Sequence, residues 1–189
     1  GSLGPGLTLS RIIDFSKVNT LLDVAGGTGG FAIRLCEQYP NLNITIIDFP
    51  NVIKLGIKKV SEVGLSDRIN FIGGNALDYI WPEKKFDAVL MSYLFNGVPG
   101  EEIPKLIQKA SSVINLGGMY IVHDFMVEDD RSGPHLAALW QLQHLAFTPT
   151  AKSITPKWLT KIIEDNDFND VLCDNLIPGM TKVIRGTKS

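Results

Sequence analysis

Residues 20–30 read Thr-Leu-Leu-Asp-Val-Ala-Gly-Gly-Thr-Gly-Gly, and the fold turns on them. Leu21–Ala25 is an apolar run of strand length that stops at a cluster of glycines. The stretch that follows carries Phe31, Ala32, Leu35, Cys36 and Tyr39 at the spacing of one helical face. Strand, glycine loop and helix in that order aim backbone N–H groups and a helix N-terminus at a small polar ligand.

The same alternation continues outward. In front of the first strand, Leu7 to Ile13 reads as a short helix. Behind the first full helix, Asn43 to Phe49 is a second strand, and Pro50 opens a helix whose buried face is Val52, Ile53, Ile57, Val60 and Val63, stopped at Gly64. Ile69 to Gly73 is a third strand. Phe86 to Met91, almost uninterrupted in its apolarity, is a fourth and belongs at the centre of a sheet. A helix over Ile103 to Val113 leads to a fifth strand, Met119 to Val122, ending in His123-Asp124. Strands alternating with helices predict a doubly wound, Rossmann-like α/β sheet, parallel and covered on both faces. The last third departs from this rhythm. It offers a helix over 134–147, a second opened by Thr155-Pro156, and strand-like runs at 170–174 and 180–185 around Pro178-Gly179. That terminal pair puts an antiparallel strand into an otherwise parallel sheet.

Composition narrows the classes of function. The 189 residues suit one domain, and a net charge of −2 gives no reason to expect nucleic acid as a partner. Cys36 and Cys173 belong to no CxxC pattern, and no apolar run is long enough to span a bilayer. The opening Gly-Ser-Leu-Gly-Pro-Gly lacks the charged and apolar regions of a signal peptide, so a cytoplasmic location is expected, and Gly1-Ser2 reads as a cloning scar.

Two ligands compete for the glycine loop. Gly27-Thr28-Gly29-Gly30-Phe31-Ala32 satisfies the dinucleotide pattern G-x-G-x-x-G/A, with Asp48 downstream. Asp23 discriminates, because a carboxylate just before the loop repels a pyrophosphate and attracts an ammonium. S-adenosylmethionine has that ammonium, a sulfonium and no phosphate. Asp48 then suits the ribose hydroxyls, Phe49 the adenine edge, and Gly74-Asn75-Ala76-Leu77 the wrapping of the adenine, with Asn75 pairing its amino group.

With these motifs the chain resembles class I methyltransferases, and within them the small-molecule O-methyltransferases of the hydroxyindole, caffeic acid and carotenoid type. The resemblance rests on Leu-Asp-Val-Ala-Gly-Gly-Thr-Gly-Gly, on Ile-Asp-Phe-Pro after strand two, on 127–140 and on the closing Asn-Asp-Phe-Asn-Asp-Val. It implies methyl transfer from S-adenosylmethionine, leaving S-adenosylhomocysteine, to a hydroxyl of a small aromatic or polyketide-like molecule. It assigns cofactor binding to Asp23, Ala25, Gly26, Gly27, Gly29, Asp48, Phe49, Asn75, Ala76 and Ser92. Family members carry an N-terminal dimerisation domain that has no counterpart in the sequence, so residues 1–189 read as a single catalytic core of open oligomeric state.

The resemblance breaks at the general base. The family's histidine after strand four falls on Asn96, which cannot take a proton near neutral pH. Asp124 matches a glutamate that orients the base, and the second such glutamate falls near Ser153. Asp124, Asn96 and His144 are therefore the catalytic candidates, with His123 pointing to the opposite face and His135 at the surface. Tyr93, Phe95, Trp140 and Phe147 are candidates to shape the acceptor pocket. No metal is expected, since the adjacent His123 and Asp124 point apart. The departure at Asn96 also admits a second reading, a domain that binds the cofactor without transferring methyl.

Overall fold

The computed structural model describes residues 3–189; Gly1 and Ser2, read above as a cloning scar, lie outside them. Helix α1 (Leu3–Ile12) precedes five βα-type strands: β1 (Thr20–Val24), β2 (Asn43–Asp48), β3 (Ile69–Gly73), β4 (Phe86–Ser92) and β5 (Ile114–Asp124). Between them lie α2 (Gly30–Gln38), α3 (Pro50–Glu62), a single 3-10 turn (Phe95–Gly97) and α4 (Glu102–Val113). Helices α5 (His135–Leu145) and α6 (Pro156–Glu164) lead into the closing strands β6 (Phe168–Ile177) and β7 (Thr181–Lys188).

All seven strands join one sheet in the order β3-β2-β1-β4-β5-β7-β6. The first five are parallel, and β7 enters antiparallel between β5 and β6. The strand order reverses between β1 and β4, so the carboxyl ends of those two strands open the crevice in which doubly wound sheets bind ligands. The expected parallel sheet with an antiparallel C-terminal strand is the observed one. Strand β4 lies centrally, as its apolar run predicts, with Val89 and Met91 on one face and Ala88 and Leu90 on the other.

Two apolar layers follow from that alternation. One face packs against α4 and α6 through Ile103, Leu106, Ile107, Leu159 and Ile163. The other packs against α1, α2 and α3 through Leu9, Phe31, Leu35 and Val60. A small third cluster at the carboxyl end, Phe125, Val127 and Ala137, seats α5.

Differences from the sequence reading lie at element ends. Helix α1 starts at Leu3 rather than Leu7, because Pro5 is tolerated in a first turn and Gly6 lies close against Phe31 and Arg34. Strand β5 starts at Ile114, with an irregularity before Met119 where Gly117 takes φ +77°. Strands β6 and β7 run longer than expected, with bulges in β6 that disturb its period.

Asp87 ties the amino ends of three strands. Its carboxylate accepts from Asn19 N–H and Thr20 N–H, each at 3.0 Å, and from Asn115 Nδ2. Asp87→Ala is expected to lower stability by about 1–3 kcal/mol in urea titrations, with the transition remaining cooperative.

Candidate functional site

The loop after β1 is built on a close approach. Asp23 is almost wholly buried, and a Cβ on Gly26 would lie 2.5 Å from its Oδ2, so only glycine fits above that carboxylate. Neither Asp23 oxygen has a hydrogen-bond partner. Burial, aided by the charge of Asp48, pushes Asp23 up to about 8. Ala25 is held at φ +58°, a conformation that strains any residue with a Cβ. Gly29, at φ +83°, caps α2.

Asp48 ends β2 facing that loop. Its Oδ2 accepts from Gly27 N–H at 2.7 Å and its Oδ1 from Phe49 N–H at 2.7 Å. A cavity of about 260 Å³ opens beside it, walled by Ala25, Asp48, Phe49, Asn75 and Ala76 on the β1–β3 side. Tyr93, Leu94, Gly97, Val98 and Pro99 wall it on the β4 side. Half of the ten cofactor candidates thus meet around one space. Asn75 turns its amide inward on its own loop, accepting from Leu77 N–H and donating to Asp78. Gly26, Gly27 and Gly29 shape the loop without forming the cavity wall, and Asp23 lies beneath it.

Ser92 is placed elsewhere. It shares the α1–α2 face of β4 with Ala88 and Leu90, and its Oγ meets His123 Nδ1 at 2.8 Å. His123 Nε2 meets Thr181 Oγ1 at 2.9 Å. With both ring nitrogens engaged and burial holding the imidazole down at about 3, His123 is a neutral tie between β4, β5 and β7. The Tyr93 ring lies edge-on over it, 4.5 Å between centroids. Tyr93 itself adopts φ +56°. Strand parity could have placed Ser92; the left-handed turn at Tyr93 has no signal in its residue type.

On the far side of the 3-10 turn lies a second cavity of about 260 Å³, lined by Asn96, Val127, Gln141, Leu142, Leu145 and Ser153 among others. Asn96 is buried, and its Nδ2 donates to Asp124 Oδ1 at 2.6 Å and to Phe125 O at 3.0 Å. Two acceptors on one side fix the amide, and its Oδ1 is left without a partner. Asp124 also accepts from Phe95 N–H at 2.9 Å and Asn96 N–H at 3.3 Å. Burial raises Asp124 to about 6 despite these bonds. It reaches neither cavity.

His144 stands beside this turn rather than in the cavity wall. Its Nδ1 donates to Trp140 O at 2.9 Å, which leaves Nε2 unprotonated in the neutral ring, and its Cδ2 edge faces Gly97. Trp140 stacks on Phe125 with centroids 4.4 Å apart, Phe95 is core, and Phe147 is exposed.

These groups suit S-adenosylmethionine better than a dinucleotide. Two carboxylates stand at the loop that would face a pyrophosphate, and Asp48 already takes the Gly27 N–H that a phosphate would need. A buried, unpartnered carboxyl group beneath the loop, held protonated by its burial, is the feature an ammonium-bearing ligand can compensate by favouring its ionised form.

A family model described as an O-methyltransferase domain matches residues 6–169. The chain belongs to this family. It is 29% identical over 96% of its length to a 3-hydroxy-5-methyl-1-naphthoate 3-O-methyltransferase of Streptomyces sahachiroi, covering 52% of that protein. It is 30% identical over 80% of its length to an L-tyrosine C(3)-methyltransferase of Streptomyces lavendulae, covering 41% of it. The fold is that of human N-acetylserotonin methyltransferase, solved with S-adenosylmethionine (TM-score 0.84, 21% identity, 97% of this chain and 51% of that one). The chain spans about half the length of the curated relatives it matches. Among the described residues of this O-methyltransferase domain, no helix is long and apolar enough to cross a membrane.

Asp23 makes the domain's stability pH-dependent. A carboxyl raised to about 8 when folded keeps a proton that the unfolded chain releases above the ordinary carboxylate range. Stability is therefore lost as pH rises through about 8. Relative to wild type, Asp23→Asn is expected to be more stable by on the order of a few kcal/mol at pH 8.5 and nearly equal at pH 4, read from urea midpoints.

Proposed function

We propose that this domain transfers a methyl group from S-adenosylmethionine to a hydroxyl of a small aromatic molecule. The observation that carries the reading is the turn over 94–98. Leu94, Gly97 and Val98 face the cavity beside the glycine loop, whereas Asn96 faces the cavity against α5. One short segment thus has a wall in each of two spaces, the arrangement needed to bring a donor and an acceptor together.

In this proposal Asp48 holds the ribose hydroxyls with the lone pairs left over from Gly27 and Phe49, while Phe49 and Ala76 border the adenine. Asp23 sits below, and the arrival of the ammonium end would favour its ionised form as the counter-charge. The bound donor supplies an already activated methyl on a sulfonium. The acceptor's hydroxyl donates to Asn96 Oδ1, which orients its oxygen. Asn96 holds that proton and does not remove it, so the reading favours an acidic hydroxyl such as a phenol. His144, whose Nδ1 donates to Trp140 O and whose Cδ2 edge faces Gly97, is the candidate to receive it. The relatives named above act, by their names, on a hydroxylated naphthoate and on tyrosine, both small hydroxylated aromatics. The chain works as one methyltransferase domain.

Calorimetric titration with S-adenosylhomocysteine should show binding, weakened at least about tenfold in Asp48→Ala through loss of a charged acceptor. No binding at millimolar ligand would overturn the proposal. Incubation with labelled S-adenosylmethionine and a panel of phenols should yield a methylated product; binding without product on any phenol would favour a cofactor-binding role instead.

A further inference from the structure

Of the connections between successive parallel strands, the one from β3 to β4 carries no α-helix; it runs through a single turn at 76–78. A lone turn is costly to hold, because it fixes backbone for few hydrogen bonds and leaves its last carbonyls without partners in the chain. Asn75 supplies part of the remedy. Its backbone O accepts from Asp78 N–H at 3.2 Å and Tyr79 N–H at 2.8 Å, and its Oδ1 accepts from Leu77 N–H at 3.1 Å. The carbonyls of Ala76, Leu77 and Tyr79 are met from elsewhere in the fold.

Lys109, on α4, meets all three. Its Nζ donates to Ala76 O at 3.1 Å, Leu77 O at 2.7 Å and Tyr79 O at 3.2 Å. An ammonium has three N–H donors, so each is used and none is left over. Among the described residues Lys109 is in no ion pair. Its charge is directed instead at the carbonyl end of the turn, where a cation is favoured. Trp81 completes the group: its Nε1 donates to the same Ala76 O at 3.0 Å, and the centre of its buried ring lies 5.6 Å from Lys109 Nζ. Asn75, Ala76 and Leu77 wall the cavity beside the glycine loop together with Asp48 and Phe49, and Lys109 does not. The lysine stands behind that wall and holds it through three backbone atoms.

We infer that Lys109 is a positioning residue for the donor: its ammonium fixes the turn over 75–79, and so the wall against which the donor's adenine rests. The inference rests on the methyltransferase reading for the identity of the ligand, whereas the effect on the turn needs no ligand. Lys109→Met keeps an apolar stem of similar bulk and removes all three donors. Ala76 O then retains Trp81 Nε1, but Leu77 O and Tyr79 O are left with no partner among the described residues. Hydrating those two carbonyls then competes with the closed turn, and the wall loses its fixed shape.

The test compares wild type, Lys109→Met and Asp87→Ala. Asp87 ties the amino ends of the strands, so its loss lowers stability without touching the cavity and controls for stability alone. In Lys109→Met, amide hydrogen exchange at Asp78 and Tyr79 is expected to quicken by about tenfold, and far more than at β4. Calorimetry should show S-adenosylhomocysteine and adenosine, which share the base, weakened by the same factor of about tenfold, while Asp87→Ala binds both as wild type does. Three results overturn the inference alone: unchanged S-adenosylhomocysteine affinity in Lys109→Met, a loss that adenosine does not share, or an equal loss in Asp87→Ala. Wild type that binds neither ligand overturns the methyltransferase reading and the positioning role together.

Discussion

Asp124 ends β5 wholly buried, and its carboxylate accepts from the backbone of Phe95 and Asn96, from the Asn96 side chain and from its own neighbour Phe125. A carboxylate in that position is costly to desolvate, and burial drives its affinity for a proton up to about 6. The four donors offset the cost by converging on it. In doing so they lock the turn after β4 to the end of β5. That turn faces both cavities, so the spacing between them is set by one buried acid rather than by either wall. The lock also decides what Asn96 can do. With its amide nitrogen committed to Asp124 and to Phe125 O, its oxygen is left buried without a partner.

A second buried acid works in the opposite sense. Asp23 has no donor at all, although it lies beneath a loop full of backbone N–H groups. Gly27 turns its N–H to Asp48, and Gly26 lacks the side chain that would displace the carboxylate. Such an arrangement is locally unfavourable in the ligand-free chain, as is the left-handed Ala25 next to it. Local rules broken together at one end of a sheet mark the place where stability gives way to binding. The sheet tolerates it because β1 is paired on both sides, to β2 and β4, and packed on both faces.

The parts of the fold legible in the sequence were those with a physical reason to repeat. An unbroken apolar run placed β4 at the centre, Thr155-Pro156 capped α6, and Pro178-Gly179 turned the chain between β6 and β7. The ends of β6 were not legible, since an edge strand with most of its residues exposed carries little apolar period and its bulges break what remains. At the site, Asp48, Phe49, Asn75 and Ala76 lie in a wall because they follow strand ends, which the alternation had already located. Tyr93, Gly97 and Pro99 share that wall through a long-range turn that no local pattern encodes. Ser92 entered by resemblance alone, and parity along β4 turns it toward His123.

The two cavities also differ in what supports them. The one beside the glycine loop is built from strand ends of the seven-stranded sheet, where backbone bonds and two core layers hold every wall. The other leans on α5, which is seated mainly by Ala137 and the buried Gln141 and leaves Leu139 61% and Leu142 64% exposed. Few buried apolar contacts mean a low free energy of local opening, so α5 sits at the pliable end of the molecule. Residues there can change without disturbing the sheet, whereas a change at Asp48 or Gly26 is felt by the glycine loop itself. If the two cavities serve donor and acceptor as proposed, a rigid wall beside a pliable one is the division of labour that would let one fold keep its cofactor while its acceptor varies.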